Sequence, residues 1–183
     1  DLSCIRDTFS MMQALFFEYS EDKVKNKNFD NISNYTYWYS RDSLLRLSYI
    51  YQVINECVAL DFADFFKVPL SETVREVSFT RNGEFKRFRM KEEKIKDFKP
   101  DVFRLFEEKV IRNINGLEEF NSIKYSCNIG IYDFNSTIEI PSDIIQPNSV
   151  DMVVTSPPYG DSRTTVAYGQ FSRWANEWFN FEN

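Results

Sequence analysis

Histidine is absent from all 183 residues. That removes imidazole as a general acid or base, excludes Ser-His triads and takes away the usual His-containing metal sites. Cysteine is scarce: Cys4, Cys57 and Cys127 are far apart, odd in number, and none belongs to a CxxC. No metal site is expected, and the thiols read as free groups in a reducing cytosol rather than as a disulfide framework. Glycine is scarce as well. Gly83, Gly116, Gly130, Gly160 and Gly169 form no GxG or GxxxxGK arrangement, so no phosphate- or dinucleotide-cradling loop can be built from these residues. No apolar run reaches the roughly 18 residues that span a bilayer. The start carries no signal-peptide pattern. A cytoplasmic chain without a membrane partner is expected.

The length suits one domain with a real core. Aromatic residues make up 17% of the chain, with 18 Phe and 10 Tyr, enough for a core built largely from rings. The net charge of −6 is not that of a protein that coats nucleic acid, but it is unevenly spread. Residues 75–112 hold twelve Lys and Arg against eight Asp and Glu. Such a basic middle is either a local phosphate-contacting surface or a solvated helix face.

Hydrophobic spacing predicts mostly helix before residue 120. Leu2, Ile5, Phe9, Met12, Phe16 and Tyr19 recur every three or four residues, one face of a helix over 1–20. The polar stretch that follows reads as a loop. Ser40 is a fair N-cap with Asp42 in the first turn, and Leu44, Leu47, Ile50, Val53 and Ile54 form the next stripe. A third helix covers "LDFADFFKVPLSETVREVS", with Pro69 either kinking it or dividing it into two pieces. "SFTRNGEFKRFRM" carries Asn82-Gly83 between short alternating runs, a hairpin signal. Another helix runs from Pro100 to about Ile114.

The pattern changes near residue 122. "IKYSCNIGIYDF" and "VDMVVT" read as strands, joined by a linker with one helical turn, and "GQFSRWANEWFNF" places Phe171, Trp174 and Trp178 on one helical face. Strand, connection, strand and helix is the rhythm of an α/β sheet. Two strands do not make a stable sheet alone.

The chemistry concentrates at "VVTSPPYGD". Proline donates no ladder hydrogen bond, so the strand stops at Thr155 or Ser156 and a stiff turn follows. The Ser156 hydroxyl and the proline carbonyls offer acceptors in fixed geometry, and the Tyr159 ring follows at once. Together they suit a planar ring with an amino group. Acceptors on its N–H protons favour the positive charge that develops as the nitrogen attacks an electrophile, with no histidine or metal required.

"VDMVVTSPPYGDS" resembles the catalytic motif of the S-adenosylmethionine-dependent DNA amino-methyltransferases, which modify cytosine N4 or adenine N6. In that family [DNS]-P-P-[YFW] ends a central strand of a Rossmann-like sheet, and the serine form resembles the N4-cytosine enzymes more. The approach "DFNSTIEIPSDIIQPNSVDMVVTSPPY" resembles the family's segment before the motif. "YWYSRDSLLRLSYI" and "FFKVPLSETVREVSFTRNGEFKRFRM" resemble the region between cofactor and catalytic motifs in restriction–modification methyltransferases. The resemblance implies an α/β fold, part of a class I methyltransferase sheet, with a largely helical region at 1–120 and a catalytic strand-loop-helix part at 121–183. It implies S-adenosylmethionine as cofactor and double-stranded DNA as partner, with the target base flipped out of the stack. Ser156, Pro157, Pro158 and Tyr159 would be catalytic, Asp133 would contact the cofactor's adenine, and Asp1 its ribose.

Arg81, Lys86, Arg87 and Arg89 in the hairpin are candidate DNA contacts. Arg163, after the motif, is either a phosphate contact or a solvated loop residue. Tyr35, Tyr37, Trp38 and Tyr39 read as packing at a helix start rather than a base-stacking platform.

The family's glycine-rich cofactor loop has no counterpart in these residues. The implied protein is a piece of a methyltransferase, or one subunit of a split enzyme whose second polypeptide carries that loop. Two alternatives stand beside DNA methylation: a non-catalytic DNA-binding or assembly subunit, and an amino-methyltransferase acting on RNA or on protein glutamine.

Overall fold

The computed structural model describes residues 2–81, 83, 86–123, 127–135, 138–155 and 168–181. The chain divides into two compact units. One comprises Asp1–Ser122 with Val166–Asn183, the other Ile123–Thr165. The change of unit after Ser122 lies beside the boundary expected at 120/121, but the last helix groups with the N-terminal helices.

The first unit is helical. α1 (Leu2–Phe17) buries Ile5, Phe9, Met12 and Phe16, the stripe expected from spacings of three and four. A 3-10 turn at Glu21–Lys23 and a short helix, α2 (Tyr35–Trp38), flank the polar stretch that reads as a loop. That loop is pinned: Val24, Phe29 and Ile32 are buried, and the Ser48 hydroxyl donates to the Asn26 carbonyl at 2.7 Å. α3 (Arg41–Cys57) starts as the sequence expects, with Ser40 Oγ accepting from the Ser43 N–H at 3.0 Å. Ser43, Leu45, Ser48 and Tyr49 are buried as well as the expected stripe, because α3 has neighbours on several sides.

α4 (Leu60–Glu76) is one helix despite Pro69 in its interior. Proline in a helix interior costs about 3 kcal/mol. Phe66, Leu70 and Val74 are fully buried on the same element, each contributing about 1.5–3 kcal/mol by leaving water. Packing therefore outweighs the break. Pro69 is itself buried, and its carbonyl accepts from Thr73 Oγ1 at 2.8 Å.

After α4 the chain makes a hairpin. Thr80 and Arg89 form an antiparallel bridge, Arg81 N–H donates to the Phe88 carbonyl at 2.8 Å, and Met90 N–H to that of Phe79 at 2.7 Å. α5 (Glu92–Asp97) is a single short helix. α6 (Val102–Ser122) begins where Asp101 Oδ1 accepts from the Arg104 N–H at 3.2 Å. It passes the expected end at Ile114 by eight residues, because its buried stripe stops there while the helix continues exposed. α7 (Tyr168–Phe179) closes the unit. α4 packs against α3, α6 and α7, and α1 against α6.

In the second unit, residues 127–135 and 138–155 hold turns but neither helix nor strand. The Ile144 and Ile145 N–H groups both donate to the Pro141 carbonyl at 3.0 Å, one turn within the expected linker. The apolar residues that suggested strands are open to solvent: Ile131 is 95% and Val154 89% exposed. A strand needs a ladder partner, and the described residues supply none.

Candidate active site

Residues 156–159, the SPPY motif, lie outside the described residues, as do Arg163 and Asp1. The described structure bears on the two flanks of the motif. Upstream, Asp133 is exposed in the second unit. Downstream, α7 is the first described element after the segment 156–167.

α7 is held by a set of aromatic and charged groups. Trp174 is fully buried. Its ring packs edge-on against Trp38 (5.3 Å between centroids) and Tyr39 (5.4 Å), and its Nε1 donates to Thr80 Oγ1 at 3.2 Å. One turn on, Trp178 contacts Phe29 and Tyr39. Aromatic pairs in these geometries contribute about 0.5–1.5 kcal/mol each beyond their area. The Thr80 hydroxyl is placed by its own network, 2.8 Å from that of Ser78, which donates to the Arg75 carbonyl at 2.6 Å.

Glu177 is buried on the same helix, and both its oxygens are used. Oε2 accepts from the Ser33 N–H at 3.1 Å and Oε1 from Arg173 Nε at 2.7 Å. The Glu177 carbonyl accepts from Asn31 Nδ2 at 2.7 Å. The polar loop between α1 and α2 is thereby tied to α7, a role that its sequence, read as an aperiodic loop, does not announce.

Two arginines complete the anchor. Arg75 is buried on α4, its guanidinium 4.2 Å from the Phe171 ring centroid, and its Nη1 donates to the Phe171 carbonyl at 3.4 Å. The Arg87 guanidinium lies 4.5 Å from the Trp174 ring. Its Nη1 is buried with no hydrogen-bond acceptor, and the indole face takes that place. Burial lowers the pKa of both guanidinium groups from their ordinary value, without bringing an arginine near neutrality at physiological pH. Phe171 is 48% exposed and shields Arg75 rather than filling the core beside Trp174 and Trp178.

The hairpin cations therefore divide. Arg87 packs on Trp174. Arg89 is half-buried, 4.3 Å from the Tyr37 ring, donates through Nε to the Tyr37 carbonyl at 2.9 Å, and pairs with Glu92. Arg81 and Lys86 are exposed. Of the four aromatic residues at the start of α2 and α3, Tyr39 is buried and its hydroxyl donates to the Val74 carbonyl at 3.0 Å. Trp38 is half-buried against Trp174, and Tyr37 is exposed beneath Arg89.

A groove of about 320 Å³ between α4, α6 and α7 is lined by Glu72, Arg75, Glu76, Lys109 and Phe171 among others. Lys109 pairs with Glu76, and Arg112 pairs with Glu72 through two bonds of 2.6 and 3.1 Å, while Arg75 stacks on Phe171, so the lining sets two cations against two carboxylates. It thus offers no uncompensated field to a charged ligand.

No family model matches the chain, and no solved structure matches it. Among curated proteins, the chain is similar to a methyltransferase. Over 97% of its length the chain is 40% identical to the Type II methyltransferase M.MvaI of Kocuria varians, and it spans 40% of that protein's length.

Proposed function

We propose that the chain is part of a restriction–modification DNA methyltransferase that moves a methyl group from S-adenosylmethionine to an exocyclic amine of a flipped base, cytosine N4 before adenine N6. The observation that carries this is 40% identity, over 97% of the chain, to part of a Type II methyltransferase, combined with a β-branched run that leads into SPPY. The stretches around 123–133 and 150–155 are proposed as strands of a Rossmann-like sheet, a role that suits their apolar, exposed side chains.

Ser156 Oγ and the Pro157 carbonyl accept from the target amine and favour positive charge on its nitrogen as the new N–CH₃ bond forms. Pro158 stiffens the loop and Tyr159 stacks on the base. Bound there, the cofactor would supply an electrophilic methyl on a sulfonium, whose S–CH₃ bond would break to leave a neutral thioether while the methylated nitrogen gives its extra proton to water. Asp133 is proposed to hold the cofactor's adenine. Its carboxylate is exposed and in no ion pair, which leaves it available to accept from an amino group. Asp1 is proposed at the ribose. A glycine-rich loop is not encoded in these residues, so the rest of the cofactor contacts come from polypeptide outside them, in this chain or in a second one.

The test is transfer of labelled methyl to duplex DNA by the methyltransferase that contains this sequence. Ser156→Ala and Tyr159→Ala should each lower kcat by about a hundredfold or more. Transfer that is unaffected by both substitutions, or cofactor binding with no methylation of any DNA, would sink the reading. DNA binding that survives both substitutions in a chain that never transfers methyl would favour the non-catalytic subunit. Methyl transferred to RNA or to glutamine instead would move the substrate and keep the loop.

A further inference from the structure

Cations of the helical unit are mostly spoken for. Arg6, Arg46, Lys67, Lys109 and Arg112 each sit against a carboxylate. The stretch from 86 to 99 breaks that rule. Lys86, Lys91, Lys94, Lys96 and Lys99 are all exposed and none makes an ion pair, although Glu93 and Asp97 lie on the same short helix.

Two of these lysines stand where folding gains nothing from them. Lys91 is the N-cap of α5 and makes no side-chain cap bond, at the end of a helix where a cation is disfavoured. Lys94 follows three residues later, its N–H donating to the Lys91 carbonyl at 2.9 Å, so two like charges share one side of a turn. Beside them is a groove of about 610 Å³ lined by Arg81, Met90, Lys91 and Lys94. No carboxylate is among the described residues that line it.

Resting on the methyltransferase reading above, we propose that Lys91 and Lys94, with Arg81 and Lys86, form the surface that grips the phosphate backbone of duplex DNA. Arg87 and Arg89 do not belong to it. All four hairpin cations read alike in the sequence, but Arg87 and Arg89 stack at 4.5 Å on Trp174 and 4.3 Å on Tyr37, whereas Arg81 stays exposed with its guanidinium 5.9 Å from the Phe88 ring. The occupant is an extended polyanion because the charges are spread along a hairpin and the following helix, with no convergent, buried cradle for a small anion. Phosphate contacts position a duplex without reading its sequence, so this surface sets affinity and register.

The experiment is duplex binding by the whole methyltransferase between 50 and 200 mM salt, with methylation kinetics alongside. Each lost phosphate contact lowers the slope of log K against log salt by about 0.9, so Lys91→Gln/Lys94→Gln should lower it by about 1.8. KM for DNA should rise about tenfold or more at the upper salt concentration, with kcat and cofactor binding unchanged. Lys91→Arg/Lys94→Arg should restore the slope. An unchanged slope and KM in an enzyme that methylates DNA would overturn this surface and leave the proposed function standing. If the wild-type enzyme methylates no DNA, the function falls. The surface then survives only if duplex binding persists with the slope reduced in the Gln variant.

Discussion

Arg75 and Phe171 meet across α4 and α7, guanidinium on ring at 4.2 Å, while Arg75 Nη1 reaches the Phe171 carbonyl. The contact joins the buried centre of the helical unit to the first turns of the helix that follows the SPPY segment. Arg75→Ala removes a stacked cation and a charge-assisted bond, together about 2 kcal/mol. Hydrogen exchange should show amide protection falling in residues 168–179 while α1 keeps its own. Arg75→Lys should not restore it, since an ammonium has no planar face to stack. Unchanged protection of α7 in Arg75→Ala would show that the contact does not hold the helix.

Glu177 tests the other side of the same helix. Glu177→Ala removes the acceptor of the Ser33 N–H. Ser33 is exposed, so water takes the freed donor and the loss is that of an ordinary hydrogen bond, about 1 kcal/mol. The Arg173 pair adds little, because Arg173 is 42% exposed and screened. Urea denaturation should show that loss for Glu177→Ala and a smaller one for Glu177→Gln, which keeps a carbonyl acceptor. A Glu177→Ala protein within about 0.5 kcal/mol of wild type would mean that the loop docks without this bond.

These two anchors mark the edge of what the sequence makes legible. Ser40 and the Leu44–Ile54 stripe identify α3 because capping and periodicity are local. The length of α6 is not legible, since beyond Ile114 its last two turns bury no residue fully and set only Leu117, half-buried, against the core. Pro69 is ambiguous locally and is settled by the burial of Phe66 and Leu70. Trp174 and Trp178 announce a buried face, but not that it lands on the hairpin and on Tyr39. The hairpin cations read alike in sequence, and only their three-dimensional neighbours separate Arg87 and Arg89 from Arg81 and Lys86. The chemistry proposed for SPPY is suggested by sequence alone because the residues that would carry it are contiguous, and they lie outside the described residues.

Tyr39 gives a pH prediction. Burial raises the pKa of its hydroxyl well above the ordinary value of 10, and Tyr19 and Tyr49 shift the same way by burial. In the unfolded chain these phenols ionise near pH 10 while the folded Tyr39 keeps its proton. The unfolded state then binds fewer protons, so stability is intact below pH 10 and falls above it, by up to about 1.4 kcal/mol per pH unit for one group. Tyr39→Phe should be less stable at neutral pH by about 1 kcal/mol, for the lost bond to the Val74 carbonyl. Its stability should also fall less steeply between pH 10 and 11. Parallel pH profiles for the two proteins would place the titrating group elsewhere.

Asp133 is where the proposed function can be probed apart from DNA. Its carboxylate is exposed and in no ion pair, so Asp133→Asn disturbs no structural contact of that kind and should leave thermal stability within about 0.5 kcal/mol of wild type. A carboxylate accepting from the cofactor's adenine is worth about 1.5–3 kcal/mol, and losing it should weaken S-adenosylmethionine binding by roughly tenfold to a hundredfold. Calorimetric titration of the methyltransferase reads that directly. Duplex affinity should stay unchanged, because the lysines proposed to hold the backbone lie in the helical unit. Cofactor binding that ignores Asp133→Asn would remove this residue from the pocket while leaving the SPPY loop untouched. Weakened cofactor binding at wild-type duplex affinity would place Asp133 with the cofactor and apart from the DNA.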